Sequence, residues 1–382
     1  MARHRSGDML HLFIPGIGKL CYKIMVLNSY MAIMGKNSFF LTDLMKTGNH
    51  QDIEQFLALA TLPNERITSD GEYYTLHNIN FDRYDRLLAM IDHRRENQRL
   101  WNNPEYWQEA QRRIKNLADR GFSFIVAQPW ESPENLKDHQ KYNDLLANTP
   151  HLTWSGGGNW FWFLMQRRHR DKIYQFDHSS KKHDFLYLNK QSRPHRRQLF
   201  EALQKESLLG NSLCSFLGAP HKIRLDPRYE LPWVDPNNYP RYGSDQDVYE
   251  PQFNHTAFNL VSETNDNNHD VFMTEKLWKP VLAEQIFVVH GNLGYLRKLR
   301  DMGFRTFDSV FDESYDLEAD PTKRIEKIVS LCRHLRTVDK DKIYKETESI
   351  RQHNRDRFLD RNALSDSVNA TVLGFLELVD RS

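Results

Sequence analysis

Between residues 184 and 302 the chain repeats one pattern: a short apolar run, a polar junction, then a segment with helical spacing. DFLYLN (184–189) precedes SRPHRRQLFEALQKES (192–207), and FNLVS (258–262) precedes a helix predicted over 274–284. IFVVH (286–290) precedes another helix from about Leu293 to Met302, and SLCSFL (212–217) adds one more apolar run. Unbroken apolar runs this short fit strands buried on both faces, as in a parallel sheet covered by helices. Strand alternating with helix predicts an α/β fold with right-handed, doubly wound connections. Ligands of such sheets bind outside the carboxyl ends of the strands, where helix N-termini point.

The rest of the chain is less regular. LHLFIPGI (10–17) and CYKIMVLN (21–28) fit either strands or buried segments. Residues 81–99 and 104–120 read as helices, the second stopped by Gly121, and FSFIVAQPW (122–130) reads as a strand. SGGGNWFWFLMQRRHR (155–170) joins a glycine turn to an apolar run with a basic end, and 218–257 reads as a polar insertion or long loop. Two helices are expected at 320–336 and 340–380, with a break near Asn354 or Asn362.

At 382 residues the chain has room for two domains, and 39% apolar with 12% aromatic content is enough for a substantial core. A net charge of +1 excludes a protein that binds polyanions by its overall field. Its cations are local, as in Arg167-Arg168-His169-Arg170 and Arg193-Pro194-His195-Arg196-Arg197. Cys21, Cys214 and Cys332 match neither a disulfide framework nor a zinc site, which favours a reducing compartment. No apolar run is long enough to span a membrane, and Pro15 and Gly16 interrupt the start as a signal peptide. A cytoplasmic protein is the expectation, and the sequons at 254–256 and 369–371 are tripeptides of a kind that arises by chance.

Two strand-to-helix junctions concentrate charge. Thr274-Glu275-Lys276 opens a helix, with Lys279 a turn later. A helix N-terminus is the positive end of the dipole, so cations there call for an anion. A diphosphate would pair with Lys276 and accept from the first-turn amides, while Glu275 could accept from a ribose diol. Glu263, ending the preceding strand, is a second carboxylate expected to face the same crevice. The competing reading is structural: Thr274 caps the helix, Glu275 answers the dipole and Lys276 points into solvent. The other junction, Asn189-Lys190-Gln191-Ser192-Arg193-Pro194-His195-Arg196, again puts cations at a helix start. Arginine forks suit phosphate oxygens, and a solvated basic surface or a nucleic-acid contact is the alternative.

Ser262-Glu263-Thr264-Asn265, followed by Phe272-Met273-Thr274-Glu275-Lys276-Leu277-Trp278, resembles the nucleotide-sugar signature of alpha-1,3-fucosyltransferase-like glycosyltransferases. IFVVHGNLGYLRKLRDMGFRTF (286–307) resembles the strand, glycine and helix that follow it there, and glycosyltransferase-like proteins of phages and bacteria are more similar still. The resemblance covers roughly residues 184–310. It implies a GT-B architecture, with two Rossmann-like domains facing a cleft and the donor held by the C-terminal one. The corresponding segments are 1–175, 176–345, and C-terminal helices at 346–382 packing back on the N-terminal domain. It implies Lys276 on the donor phosphates, Glu275 on the ribose, and Arg193 or Arg196 on the diphosphate, near Asn189. Phe272 stands where the family has Tyr and Thr264 where it has Asn, so GDP-fucose is not implied as the donor.

Inverting transfer needs a general base for the acceptor hydroxyl. Glu131 is the candidate, with Glu134 and Asp138 beside it and a helix cap before Pro133 as its plainer role. The glycines at 156–158 allow close backbone approach or a plain turn. Asp245-Gln246-Asp247 matches a metal-binding Asp-x-Asp but lacks an apolar strand before it, and His255, Asp266, His269 and Asp270 lack ligand spacing. The expectation is a metal-independent transferase using a nucleotide-diphosphate sugar, without a further cofactor, on an unidentified glycan, nucleic-acid or protein acceptor. The alternative is a nucleic-acid-binding protein using clusters 167–170 and 193–197. Glu263 and Glu275 beside Lys276 favour the enzyme, because a polyanion groove excludes carboxylates.

Overall fold

The structure, a computed structural model, describes residues 159–230, 246–266, 271–368 and 370 in full. It also describes the backbone of five strand segments (39–43, 64–65, 86–90, 124–128, 151–155) and the helical positions 108, 112 and 115. The chain divides into two compact units, Met1–Val126 with Thr149–His151, and Ala127–Asn148 with Leu152–Ser382.

The five early strands are β1 (Phe39–Asp43), β2 (Asn64–Glu65), β3 (Arg86–Met90), β4 (Phe124–Gln128) and β5 (His151–Ser155). They form one sheet in the order β2-β1-β3-β4-β5, with β1 parallel to both neighbours. Strand β3 corrects the helix expected over 81–99. Leu87, Leu88, Ala89 and Met90 form a short apolar run, which periodicity alone does not separate from a buried helical turn. Strands β1 and β5 were not expected, while β4 falls inside the predicted 122–130 run.

The second sheet has four strands, β6 (His183–Asn189), β7 (Leu213–Phe216), β8 (Thr256–Ser262) and β9 (Ile286–His290). Their order is β7-β6-β8-β9, and every pairing is parallel. All residues of β8 and β9 are buried, so these strands read as continuous apolar runs rather than alternating ones. The chain leaves β6 toward β7 on one side, then returns to place β8 on the other. The strand order therefore reverses between β6 and β8, which is the switch point where doubly wound sheets hold ligands.

Helices cover both faces. Helix α1 (Asn159–His169) precedes the sheet, and α2 (Pro194–Lys205) follows β6. Pro194 starts α2 with a pre-set φ, and Leu199, Phe200 and Leu203 give it a buried stripe. The stretch 218–257, read as a loop, contains a 3-10 turn at Pro227–Tyr229 and helix α3 (Glu250–His255). Helix α4 (Glu275–Leu282) follows β8, and α5 (Tyr295–Asp301) follows β9 through Gly294, whose φ of 74° suits glycine. Asp320 caps α6 (Pro321–Thr337) by accepting from the amides of Thr322 and Lys323.

The helix expected over 340–380, with a break near Asn354 or Asn362, is interrupted at two places among the described residues. Helix α7 (Lys340–Glu346) and α8 (Glu348–Leu359) meet at Thr347, whose hydroxyl bonds back to the Ile343 carbonyl at 2.7 Å. A second break falls at Asp360, which accepts from the Asn362 amide at 2.8 Å. Helix α8 packs on α1 and α4. Trp162 Nε1 donates to the Phe358 carbonyl at 2.9 Å, and Trp162 stacks on Trp278 of α4 with ring centroids 5.6 Å apart. Trp278 in turn stacks on Phe358 at 5.9 Å.

Candidate functional site

Asn189 ends β6 and Ser262 ends β8, so the loops that follow them lie side by side at the carboxyl edge. The two basic junctions predicted from sequence flank the switch point, and they meet at Thr264. Arg193 Nη1 donates to the Thr264 carbonyl at 2.8 Å and to Asn265 Oδ1 at 2.9 Å. Lys276 Nζ reaches Thr264 Oγ1 from the other side at 3.3 Å.

At the start of α4, Thr274 is the N-cap and its hydroxyl accepts from the Lys276 amide at 3.4 Å. Lys276 does not extend into solvent. Its ammonium folds back onto Thr274 Oγ1 and Glu275 Oε1, both at 3.0 Å, and its side chain is 24% exposed. Burial works against the charge of Glu275, but the ammonium groups of Lys276 and Lys279 outweigh it and hold the carboxyl below its usual range. A carboxylate and an ammonium thus sit together at a helix N-terminus. Phe272 lies just ahead of the cap, its amide donating to Asn292 Oδ1 at 3.4 Å and its ring edge-on to Phe161 at 5.7 Å.

Glu263 differs from expectation. It was placed as a carboxylate facing the crevice, but it is fully buried. Oε1 accepts from the Thr274 amide at 2.9 Å and the Tyr295 hydroxyl at 2.7 Å. Oε2 accepts from the Thr274 hydroxyl at 2.7 Å and the Thr264 amide at 3.0 Å. With four donors on two oxygens, no acceptor capacity is turned outward for a ribose.

Arg196 is also drawn inward. It is 3% exposed, and its Nε and Nη2 both donate to the Glu263 carbonyl, at 2.9 and 2.8 Å. His195 Nε2 lies 3.0 Å from the same carbonyl, which only accepts, so the ring carries a proton there. His195 Nδ1 is 3.3 Å from Asp266. Burial lowers the pKa of His195, with Asp266 opposing, and lowers that of the adjacent His290 to about 3. Arg324 of α6 closes this side by donating to the Gly291 carbonyl at 2.8 Å. Of the two arginines considered for a diphosphate, Arg193 is the one at the shared Thr264 node, and Arg196 serves as a staple between α2 and the end of β8.

Other expected features fall elsewhere. Glu131, with Glu134 and Asp138, lies outside the described residues, as do the glycines at 156–158, Asp245, His269 and Asp270. Asp247 is paired with Arg168 at 2.6 Å and with Lys172 at 3.9 Å, so the 167–170 cluster is partly neutralised by one half of the Asp-x-Asp motif. His169 is buried between Tyr174 and the Gln246 carbonyl, and burial lowers its pKa to about 4. Among the described residues no group of three or more His, Cys, Asp and Glu side chains is placed to hold a metal, and no helix is long and apolar enough to cross a membrane.

Sequence reasoning missed Tyr295 and Asn292. Both lie in the GNLGYL junction after β9, which carries little charge and so gave no electrostatic signal. Compared with known proteins, the chain matches no family model and no curated protein at a significant level.

Proposed function

We propose that the chain is a glycosyltransferase that takes its sugar from a nucleotide-diphosphate donor. One observation carries the reading: the two basic strand-to-helix junctions flank the β6/β8 switch point and converge on Thr264, with Glu275 beside Lys276. A diphosphate seated there would displace the Lys276–Glu275 pair. It would take the ammonium and the first-turn amides of α4, and free Glu275 for a ribose diol.

In this reading the bond from the anomeric carbon to the β-phosphate oxygen breaks as the acceptor oxygen attacks. Lys276, Arg193 and the α4 dipole stabilise the departing diphosphate. The acceptor proton passes to a carboxylate, and Glu131 is the residue we assign to it. The reading includes the two-domain GT-B arrangement, with donor on the C-terminal side, and inversion at the anomeric carbon. Asn189 and Phe272 border the donor in this reading.

Nucleic-acid binding has less support. Arg168 is engaged by Asp247, and Arg196 is buried on a carbonyl. A thermal-shift panel of UDP-, GDP-, ADP- and CMP-sugars, with Lys276→Ala as control, separates the readings. Stabilisation by one nucleotide class that is lost in Lys276→Ala is the expected outcome. No shift with any nucleotide, together with salt-sensitive DNA or RNA binding, overturns it.

A further inference from the structure

We infer that Glu263 and Tyr295 are positioning residues for Lys276, acting through the hydroxyl of Thr274. What Lys276 binds rests on the donor-site reading above; how it is held does not. A threonine hydroxyl has one proton and two lone pairs. The proton of Thr274 goes to Glu263 Oε2, 2.7 Å away, because a carboxylate only accepts. That leaves the lone pairs facing Lys276, with Nζ at 3.0 Å and the amide at 3.4 Å. The carboxylate thus fixes the hydroxyl rotor, and the rotor presents acceptors to the ammonium.

The carboxylate is itself fixed from two further elements. Tyr295, the first residue of α5, clamps Oε1 at 2.7 Å, and burial together with the charge of Glu263 holds its phenol well above the usual pKa, so it stays a donor. Gly291 makes room for that ring: a Cβ added there would lie 2.8 Å from Tyr295 Cδ2 and 3.5 Å from the Glu263 Cβ. The Thr264 amide holds Oε2 at 3.0 Å from the β8 side. The loops after β8 and β9 therefore set the direction of one ammonium group through a single buried acid.

An isosteric amide breaks this relay when its NH2 takes the place of Oε2. Glutamine at 263 has one accepting oxygen where two are needed. If its NH2 replaces Oε2, it faces the Thr264 amide, and the Thr274 hydroxyl turns its proton toward the ammonium. If it replaces Oε1, it faces the Thr274 amide and leaves it unpaired.

Lysine reactivity reads this directly. The folded full-length chain is exposed to trace acetic anhydride, and acetylation at Lys276 is compared by mass spectrometry with Lys340, which is held by Asp184 at 2.5 Å on another element. Glu263→Leu and Thr274→Val should raise the Lys276 rate about fivefold, the size of one lost hydrogen bond, with Lys340 unchanged. Thr274→Ser keeps the hydroxyl and should restore the wild-type rate; Tyr295→Phe should fall between. An unchanged Lys276 rate in Glu263→Leu, which has no acceptor in any orientation, or equal rates in the Val and Ser variants, overturns the inference. The Val–Ser pair decides the matter if Glu263→Leu does not fold. GDP and UDP titrations of the same proteins separate the two readings. A labelling pattern as described in a chain that binds no nucleoside diphosphate sinks the donor site and leaves the positioning in place.

Discussion

The junctions after β6 and β8 carry similar charge in the sequence and use it in opposite ways. After β6, Arg196 is buried and grips the Glu263 carbonyl, and α2 starts on Pro194 without a side-chain cap. After β8, a threonine caps the helix and Lys276 lies partly buried beside Glu275. The first cation holds two connections of the sheet together, and the second pairs with a neighbouring carboxylate, which the proposed ligand would have to outcompete. Cations at a helix start are thus not one signal. An arginine fork matched to a carbonyl is a structural tie, whereas an ammonium paired with an adjacent acid is exchangeable.

The sharpest way to break this contrast is to remove each cation in turn. Arg196→Ala should lower the unfolding free energy by about 2 kcal/mol, since it removes two charge-assisted hydrogen bonds from the buried Glu263 carbonyl and leaves it only His195. Urea titration checks this, and Lys276→Ala should lower the unfolding free energy by less than Arg196→Ala does, by the same method. Equal losses would erase the distinction. In binding the order should reverse: Lys276→Ala should weaken nucleoside diphosphate affinity at least tenfold, about 1.4 kcal/mol, by calorimetry. Glu275→Gln sharpens the role of the acid. It should weaken a ribonucleoside diphosphate about fivefold relative to inorganic pyrophosphate, because both ligands lose the same competing carboxylate and only the former carries a diol.

A further contrast comes from protons. Burial lowers His290 to about 3 and His169 to about 4, so between those values and the usual 6.5 the unfolded chain binds more protons than the folded one. Their contribution to stability is therefore present above about pH 6.5 and is lost as the pH falls toward 4. Melting temperatures at pH 7.5 and 5.5 should differ in this direction, and His290→Asn should shrink the difference.

The parallel sheet could be read from the sequence because β6, β8 and β9 are buried on both faces and lack the alternation of a half-exposed strand. The cap at Thr274 and the charges at 275 and 276 were also visible, since capping and dipole effects are local. Glu263 was placed on the wrong side of its strand end. Whether a carboxylate at a strand end faces solvent or the next loop depends on Thr274 and Tyr295, which lie 11 and 32 positions away in the chain. The helix predicted over 81–99 failed for a related reason. Leu87 to Met90 form too short a run for their period to separate strand from helix, and pairing with β1 decides.

Helix α4 also carries its own optical reporter. Trp278, two positions beyond Lys276, lies 5.6 Å from Trp162 with the rings inclined by 28°. Indoles this close share their excited states and give a paired positive and negative band in circular dichroism. A diphosphate that pulled on the start of α4, as proposed, would change the angle between them. The proposed donor site can therefore be tested in solution without a label, through the chirality of two stacked rings on the far side of the helix.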